Sequence, residues 1–552
     1  MTSSGPSSGK AVVIGGGVAG LASAALLARE GYAVDLLEKN AAPGGRAGTW
    51  ASAGFTFDTG PSWYLMPDVF DHFFRLLGTT AEEQLDLVRL DPAYRVFSEG
   101  HAEPLDVRSG RAAVTALFEG VEPGAGQRLD AYLASARDTY DLAVRRFLYT
   151  TYASLLPLAR PDVVRRLGRL VRLLGQPLDR YVASFVQDRR LAQVLGYPAV
   201  FLGTSPGRAP SMYHLMSHLD LVDGVRYPMG GFSRLVEVLV GLAEAGGVHL
   251  RLASTVTAIH TSPRAAPARA GWPGTDRRTT EVTGVSFTDA AGVSHRLDAD
   301  VVVGATDLHH VETELLPERL RSHSPRWWTR RDPGPSAVLL MLGVRGALPE
   351  LAHHSLFFTH DWDAHFDAIH DAAAAIPDPA SIYVCRPSAT DPSVAPSGSE
   401  NLFVLVPAPA SPELGRGGVD GAGDAWVERV ADAAIAQIAQ WAGVRDLAER
   451  VTVRRTVGPQ DFVDEVNAWS GGALGLAHTL RQSAMFRPRN TSRKVAGLYY
   501  AGHSTLPGIG LPMCLISAEV LLKAVRGDRS TEPLAEPMRE PRTAALVDRG
   551  AR

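Results

Sequence analysis

Cysteine is all but missing: Cys385 and Cys514 are the only two in 552 residues. That excludes a disulfide framework or a Cys-rich metal site, and it fits a reducing cytoplasm. Neither sign of charge dominates either. Lys and Arg number 55 against 59 Asp and Glu, a formal net charge of −4, so no global field draws the chain to nucleic acid. The opening MTSSGPSSGK has no basic stretch followed by an apolar core, so no signal peptide is expected. The uncharged run from Ala11 to Ala28 approaches the length of a membrane span. Four glycines within its first ten residues suit a strand, a turn and a helix instead. The expectation is a chain that is soluble or lies on a membrane without crossing it. With 45% hydrophobic and 21% charged residues, it has an ordinary globular composition, and its length suggests about three domains of ~150 residues.

What is present begins with KAVVIGGGVAGLASAALLAREGYAVDLLEKN. Ala11 to Ile14 reads as a buried strand, and Gly15, Gly17 and Gly20 follow in G-x-G-x-x-G spacing. An Ala- and Leu-rich helix then ends near Gly31, and a second strand, Ala33 to Leu37, finishes at Glu38. One glycine permits the turn, one lets a pyrophosphate approach the backbone, and one packs helix on strand. The helix start presents free N–H groups to a diphosphate. Glu38 can accept ribose hydroxyls, and its charge disfavours a 2′-phosphate. Soon after come Gly44-Gly45-Arg46 and Phe57-Asp58-Thr59-Gly60-Pro61, a second Gly-rich loop with a cation.

The middle is less explicit. DVFDHFFRLLG is helical in pattern, and VRYPMGGFSRLVEVLVGLAEAGGVHLRLASTVTAIH supplies a Gly-Gly turn, an amphipathic helix and a strand from His249 to His260. Glu281 to Thr288, Ser294 to Leu297 and the DADVVVGAT segment read as further strands. Within Asp162 to Leu174, apolar residues recur at helical spacing, edged by Arg165, Arg166, Arg169 and Arg172. That suits an interfacial helix on an anionic membrane or a soluble helix with a solvated basic face. Residues 262–280 look like a flexible insertion and 527–552 like a disordered tail.

Near the end, Leu498 to Ala501 reads as a buried strand, Gly502 to Gly510 as a constrained loop, and Leu511 to Val525 as a helix. Aimed at a bound cofactor, that helix would favour negative charge on it. Together with GGRAGTW, GFTFDTGPSWY, YPMGGFSRL, LAHHSLFF, YVCRPSATDPSVAPSG, LRQSAMFRPRN and LYYAGHSTLPGIGLP, these features resemble the bacterial- and fungal-type phytoene desaturases of the flavin amine oxidase superfamily.

The resemblance implies an α/β fold: a Rossmann-like FAD-binding domain of glutathione reductase type, an inserted α+β substrate-binding domain and a helical membrane-associating region. The implied FAD-binding domain comprises 1–90, 225–310 and 480–526, and the substrate domain 91–224 and 311–479. It implies FAD as cofactor, with contacts from Gly15, Gly17, Gly20, Glu38, Lys39, Gly45, Arg46, Gly60, Pro61, Val256, Gly502, His503, Gly510, Leu511 and Pro512. Trp63, Tyr64 and Met513 are expected on the substrate channel, His503 as the candidate polar group in catalysis, and no metal. The implied activity is desaturation of phytoene towards lycopene, at the inner face of the cell membrane, with oxygen or a quinone as final acceptor. Two alternatives stand beside it: a later-acting carotenoid 3,4-desaturase or oxygenase/ketolase, and a non-catalytic lipid escort. The sequence departs from the family at Leu506, where a histidine is usual before the proline; His503 lies three places earlier.

Overall fold

The apolar run after Gly9 forms β1 (Lys10–Ile14), and the helix that follows is α1 (Val18–Arg29). Then come β2 (Ala33–Leu37), α2 (Phe232–Ala245), β3 (His249–Arg251), β4 (Val301–Gly304), β5 (Leu498–Tyr500) and α3 (Leu511–Arg526). The computed structural model describes residues 9–154, 160–264, 278–370 and 376–538.

These five strands make one sheet in the order β5-β4-β1-β2-β3, and every neighbouring pair is parallel. A parallel sheet is covered on both faces, which is why its strands read as near-continuous apolar runs. Helix α1 is buried on every side from Val18 to Ala28, because it packs between the sheet, α2 and α3. Its alanines allow that close approach. A smaller sheet lies beside it, with Thr255–Pro263, Thr280–Thr288 and Ser294–Asp298 antiparallel and Val495–Ala496 parallel to Thr280–Thr288. The larger sheet has seven strands and a mixed arrangement, with Ile382–Cys385 in the middle, the long strands Ser336–Arg345 and Ser399–Ala408 paired antiparallel on one side of it, and His354–Phe358 parallel to Tyr94–Ser98 on the other. Helices between residues 111 and 223 pack against its far edge.

Four sequence expectations change. The strand expected from His249 to His260 is two strands in two sheets. Ala253 takes a left-handed φ of 47°, and Ala253 and Ser254 donate to the carbonyls of Asn40 and Glu38, so the chain turns out of one sheet into the other. The helix expected from Asp162 to Leu174 breaks into Pro161–Val164 and Leu167–Gly175. Of the insertion at 262–280, Ser262, Pro263 and Thr280 belong to strands, and 265–277 lie outside the described residues. Of the tail, residues 527–538 pack back on the molecule. Met538 is buried and donates to the Leu76 carbonyl, and Leu534 donates to Glu519. Residues 539–552 lie outside the described residues.

Candidate active site

Three loops meet at the carboxyl ends of β1, β2 and β5. After β1, Gly15 has a φ of +106°, and a Cβ there would sit 3.1 Å from the backbone of Ala305 and Thr306. Gly20 is shut against the same turn: its Cβ would lie 1.9 Å from the Gly15 carbonyl oxygen. It packs helix on strand and does not reach the cavity wall, whereas Gly15 and Gly17 do. Glu38, at the end of β2, accepts the Gly16 N–H at 2.6 Å and the Asn40 N–H at 2.8 Å. Those bonds fix a buried carboxylate on the wall beside the glycine turn. Lys39 also borders the cavity, but its Nζ donates to the Asp464 carbonyl and to Asn467 Oδ1 at 2.6 and 2.7 Å. Its ammonium is therefore committed to the 464–467 segment.

The second glycine loop docks on the first: Gly44 donates to the Gly16 carbonyl at 2.9 Å. Arg46 is held by the carbonyls of Ala473 and Gly472, at 2.8 and 3.4 Å. Gly60 must be glycine, since a Cβ would fall 2.0 Å from the Arg46 carbonyl oxygen. Asp58 does no chemistry at the cavity. It accepts the N–H groups of Phe232 and Ser233 at the start of α2, at 2.8 and 3.1 Å, and burial lifts its carboxyl to about 6.

The third loop, 502–510, is tied down by residues that sequence reasoning passed over. Arg487 is fully buried and donates to the carbonyls of Thr505, Gln482 and Leu476, each at 3.0 Å, and to that of His503. Asn490 donates to the Tyr500 carbonyl at 3.1 Å and to Ser517 Oγ at 2.9 Å. His478 accepts the Ile509 N–H at 3.2 Å, and its other ring nitrogen meets the Tyr213 hydroxyl at 2.7 Å. Arg487 and Asn490 both sit in the LRQSAMFRPRN stretch; a buried arginine's carbonyl partners carry no sequence signature, so only the stretch itself was a signal.

His503 lines the cavity with its Nε2 3.7 Å from Asp307 Oδ2. Burial and the nearby Arg46 push its imidazole down to about 4 against the pull of Asp307, so it is neutral at pH 7. Burial would lift the Asp307 carboxyl, but His503, Arg46 and the His309 N–H together hold it below its ordinary value. Leu506, in the place of the usual histidine, is buried and lines the cavity. Helix α3 starts at the cavity, with Gly510 to Cys514 on its wall and Pro512 in its first turn. Proline is suited there because its missing N–H would be unpaired anyway. The free N–H groups of that turn give the wall a positive end.

One cavity of about 550 Å³ joins these loops to an apolar region walled by Trp63, Phe201, Leu170, Leu174, Met216 and Met513. Gly45, Pro61, Val256, Gly502 and Leu511 also border it. Tyr64 does not: it is fully buried, stacked on Phe70 at 4.1 Å within the core around α1. Alternation along the chain sends Trp63 to the cavity and Tyr64 away from it. The basic rim expected near residue 165 is half neutralised. Arg166 and Arg169 both pair with Asp138, at 2.8 and 2.5 Å, which leaves Arg165 and Arg172 outward.

A profile of the flavin containing amine oxidoreductase family matches residues 18–519. The chain belongs to that family. It is 40% identical to a carotenoid 3,4-desaturase of Haloarcula japonica over 94% of this chain and 98% of that protein. It is 34% identical to a phytoene dehydrogenase of Streptomyces griseus over 94% and 95%. Among solved structures, wild-type putrescine oxidase shares the fold with a TM-score of 0.55 at 14% identity, covering 94% of this chain and 99% of that one. This flavin oxidoreductase is FAD-dependent, and its residues fit the cofactor. The loops of Gly15–Gly17 and Gly44–Gly45 leave open backbone where a diphosphate must approach, a fixed carboxylate stands at the end of β2, and α3 aims its N-terminus into the same space. Among the described residues no helix is long and apolar enough to cross a membrane.

Proposed function

We propose that the chain is an FAD-dependent desaturase of a carotene, with phytoene as substrate and lycopene as the direction of the reaction. The observation that carries this reading is the single cavity that runs from the glycine cradle into a wall of Trp63, Leu170, Leu174 and Met216. A nucleotide end and a long apolar end in one space suit a polyene laid against a flavin. Residues 1–90, 225–310 and 480–526 then serve as the FAD domain, and 91–224 with 311–479 as the substrate domain.

Desaturation takes two hydrogens from adjacent carbons, one with its electron pair and one as a proton. When bound, FAD supplies the acceptor for the electron pair. The chain does the rest. Gly15, Gly17, Glu38, Gly45 and Arg46 bind and orient the cofactor, with Gly60, Pro61, Val256, Gly502, Gly510, Leu511 and Pro512 closing around it. The apolar wall, with Trp63 and Met513, aligns the polyene and excludes water. Proton loss from an allylic cation needs only a weak base. His503, neutral and on the cavity wall with Nε2 facing Asp307 Oδ2 at 3.7 Å, is the side chain suited to take that proton or to hold a water that does.

Delivery of so insoluble a substrate calls for contact with a membrane. Val164, Leu167 and Val171 are exposed by half or more, and so is Phe486; the helix Leu167–Gly175 and the 484–485 segment also line the cavity. This rim supports docking on the inner face of the cell membrane, with Arg165 and Arg172 towards anionic headgroups. Oxygen or a quinone completes the cycle.

The 40% identity to a carotenoid 3,4-desaturase favours a second reading, in which the substrate is an already coloured carotene. Expression in cells that accumulate phytoene separates the two. Lycopene formation supports the first. Unchanged phytoene, with conversion of a coloured carotene in a parallel host, supports the second, and no conversion in either host overturns both.

A further inference from the structure

Two of the stretches that carry the family resemblance, LAHHSLFF and YVCRPSATDPSVAPSG, place only Tyr383 on the cavity wall. The fold brings them together. Antiparallel pairing of His354–Phe358 with Ile382–Cys385 sets His354 directly opposite Cys385, so the two side chains share a sheet face. The His353 ring lies 4.6 Å from that of His354. One ring nitrogen of each imidazole and the Cys385 sulfur all fall within 4.8 Å of one another. These residues are 5%, 0% and 1% exposed.

The hydrogen-bond accounting there is incomplete. His353 Nδ1 meets the Thr390 hydroxyl at 2.7 Å, and His354 Nδ1 meets the Tyr383 hydroxyl at 2.8 Å. Nε2 of each ring has no hydrogen-bond partner among the described residues. A buried polar atom left unpaired costs free energy, and native interiors contain few. Two such atoms on adjacent imidazoles, in a cluster that also holds a thiol, make a set of ligand atoms suited to a cation. The hydroxyls of Thr390 and Tyr383 fix ring orientation, as outer partners do for metal-bound histidines.

We propose that His353, His354 and Cys385 bind one d10 cation of soft or borderline character, Zn2+ or Cu+, as a clip between the strands His354–Phe358 and Ile382–Cys385. Two imidazoles and a thiolate suit either ion, and a site without a carboxylate donor does not suit Mg2+ or Ca2+. Bound donors lie about 3.5 Å apart around such an ion, a contraction within reach of side-chain torsions. The S–H proton leaves to solvent as the sulfur–metal bond forms, and no electron is transferred. A space of about 10 Å³ bordered by Asp58, Ser62 and Cys385 adjoins the thiol and has room for about one water. The ion would stiffen the cavity wall, because Trp63 stacks on His354 at 4.5 Å and Tyr383 bonds to it, and both line the cavity.

The test is metal content. Full-length protein, purified without chelator, is assayed for zinc and copper by mass spectrometry; metal-stripped protein is then titrated with Zn2+, or with Cu+ under argon. About one equivalent of one ion is expected, with about one proton released per ion bound and affinity falling about tenfold per pH unit of acidification. Which ion fills the site distinguishes zinc from copper. Cys385→Ser and His353→Gln should each lower occupancy at least tenfold while flavin absorbance persists. If Cys385→Ser loses its flavin through misfolding, His353→Gln and the wild-type proton count decide. The proposal is overturned if wild-type protein takes up less than about 0.1 equivalent of both ions, or if a flavin-containing variant keeps its metal.

Discussion

The Arg487 guanidinium donates to the carbonyl oxygen of Thr505 at 3.0 Å from a fully buried position, with no carboxylate among its hydrogen-bond partners in the described residues. A charge so placed is held by carbonyl dipoles alone, and four of them converge on it. Arg487→Met leaves those carbonyls unpaired at about 1 kcal/mol or more each. The expected outcome is protein purified with less than about half its flavin and destabilised by about 3 kcal/mol or more. Absorbance and urea unfolding measure both; full flavin retention would show that the loop keeps its shape without the clamp.

Gly508 and His478 should be coupled energetically. A Cβ on Gly508 would lie 2.3 Å from His478 Cε1, at a backbone φ of +152°. Gly508→Ala is therefore expected to be far more damaging in the wild type than in a His478→Ala background. A double-mutant cycle on thermal stability should give a coupling of about 1–3 kcal/mol. Strict additivity would mean that the loop moves away from the histidine.

Stability should fall between about pH 4 and pH 6 because of Asp58. Burial raises its carboxyl to about 6 in the folded chain, from an ordinary 3.8. The folded state thus holds the proton more tightly, so its advantage is full below pH 4 and lost as pH rises through 6. The size is on the order of 3 kcal/mol. Asp58→Asn, which can still accept an N–H bond, should flatten that slope in denaturation curves taken at pH 4, 5, 6 and 7. An unchanged slope would assign it to other groups.

For the proposed membrane rim, outward and inward arginines should behave differently. Arg165→Glu with Arg172→Glu is expected to weaken binding to anionic liposomes about tenfold or more, with flavin content unchanged. Arg166→Glu and Arg169→Glu place acids against Asp138 and should lower thermal stability as well. Equal liposome binding by all variants would move the membrane contact elsewhere.

The parallel sheet was legible because strands covered on both faces must be apolar throughout, as β4 is from Val301 to Gly304. The turn at Gly15 was legible because its backbone excludes other residues. What escaped was set by distant partners. Nothing near Ala253 in the sequence shows that the carbonyls of Asn40 and Glu38 will bend the strand there. Nothing between Asp162 and Leu174 shows that Asp138, on the helix Ala125–Ala143, will claim two of its arginines. The clamp by Arg487, Asn490 and His478 was invisible for the same reason, and Tyr64 was misplaced because a period-2 side is set by what the strand ends pack against.

The order of the sheet has a bearing on synthesis. Strand β4 takes its last neighbour, β5, from residues 498–500, and α1 waits for α3 at 511–526 to cover its remaining face. A chain still emerging from the ribosome can pair β1 with β2 early, yet residues 498–526 must be made before the cradle has all its walls. The cradle cannot close on a cofactor before then, and a nascent chain stalled before residue 498 exposes the uncovered edge of β4.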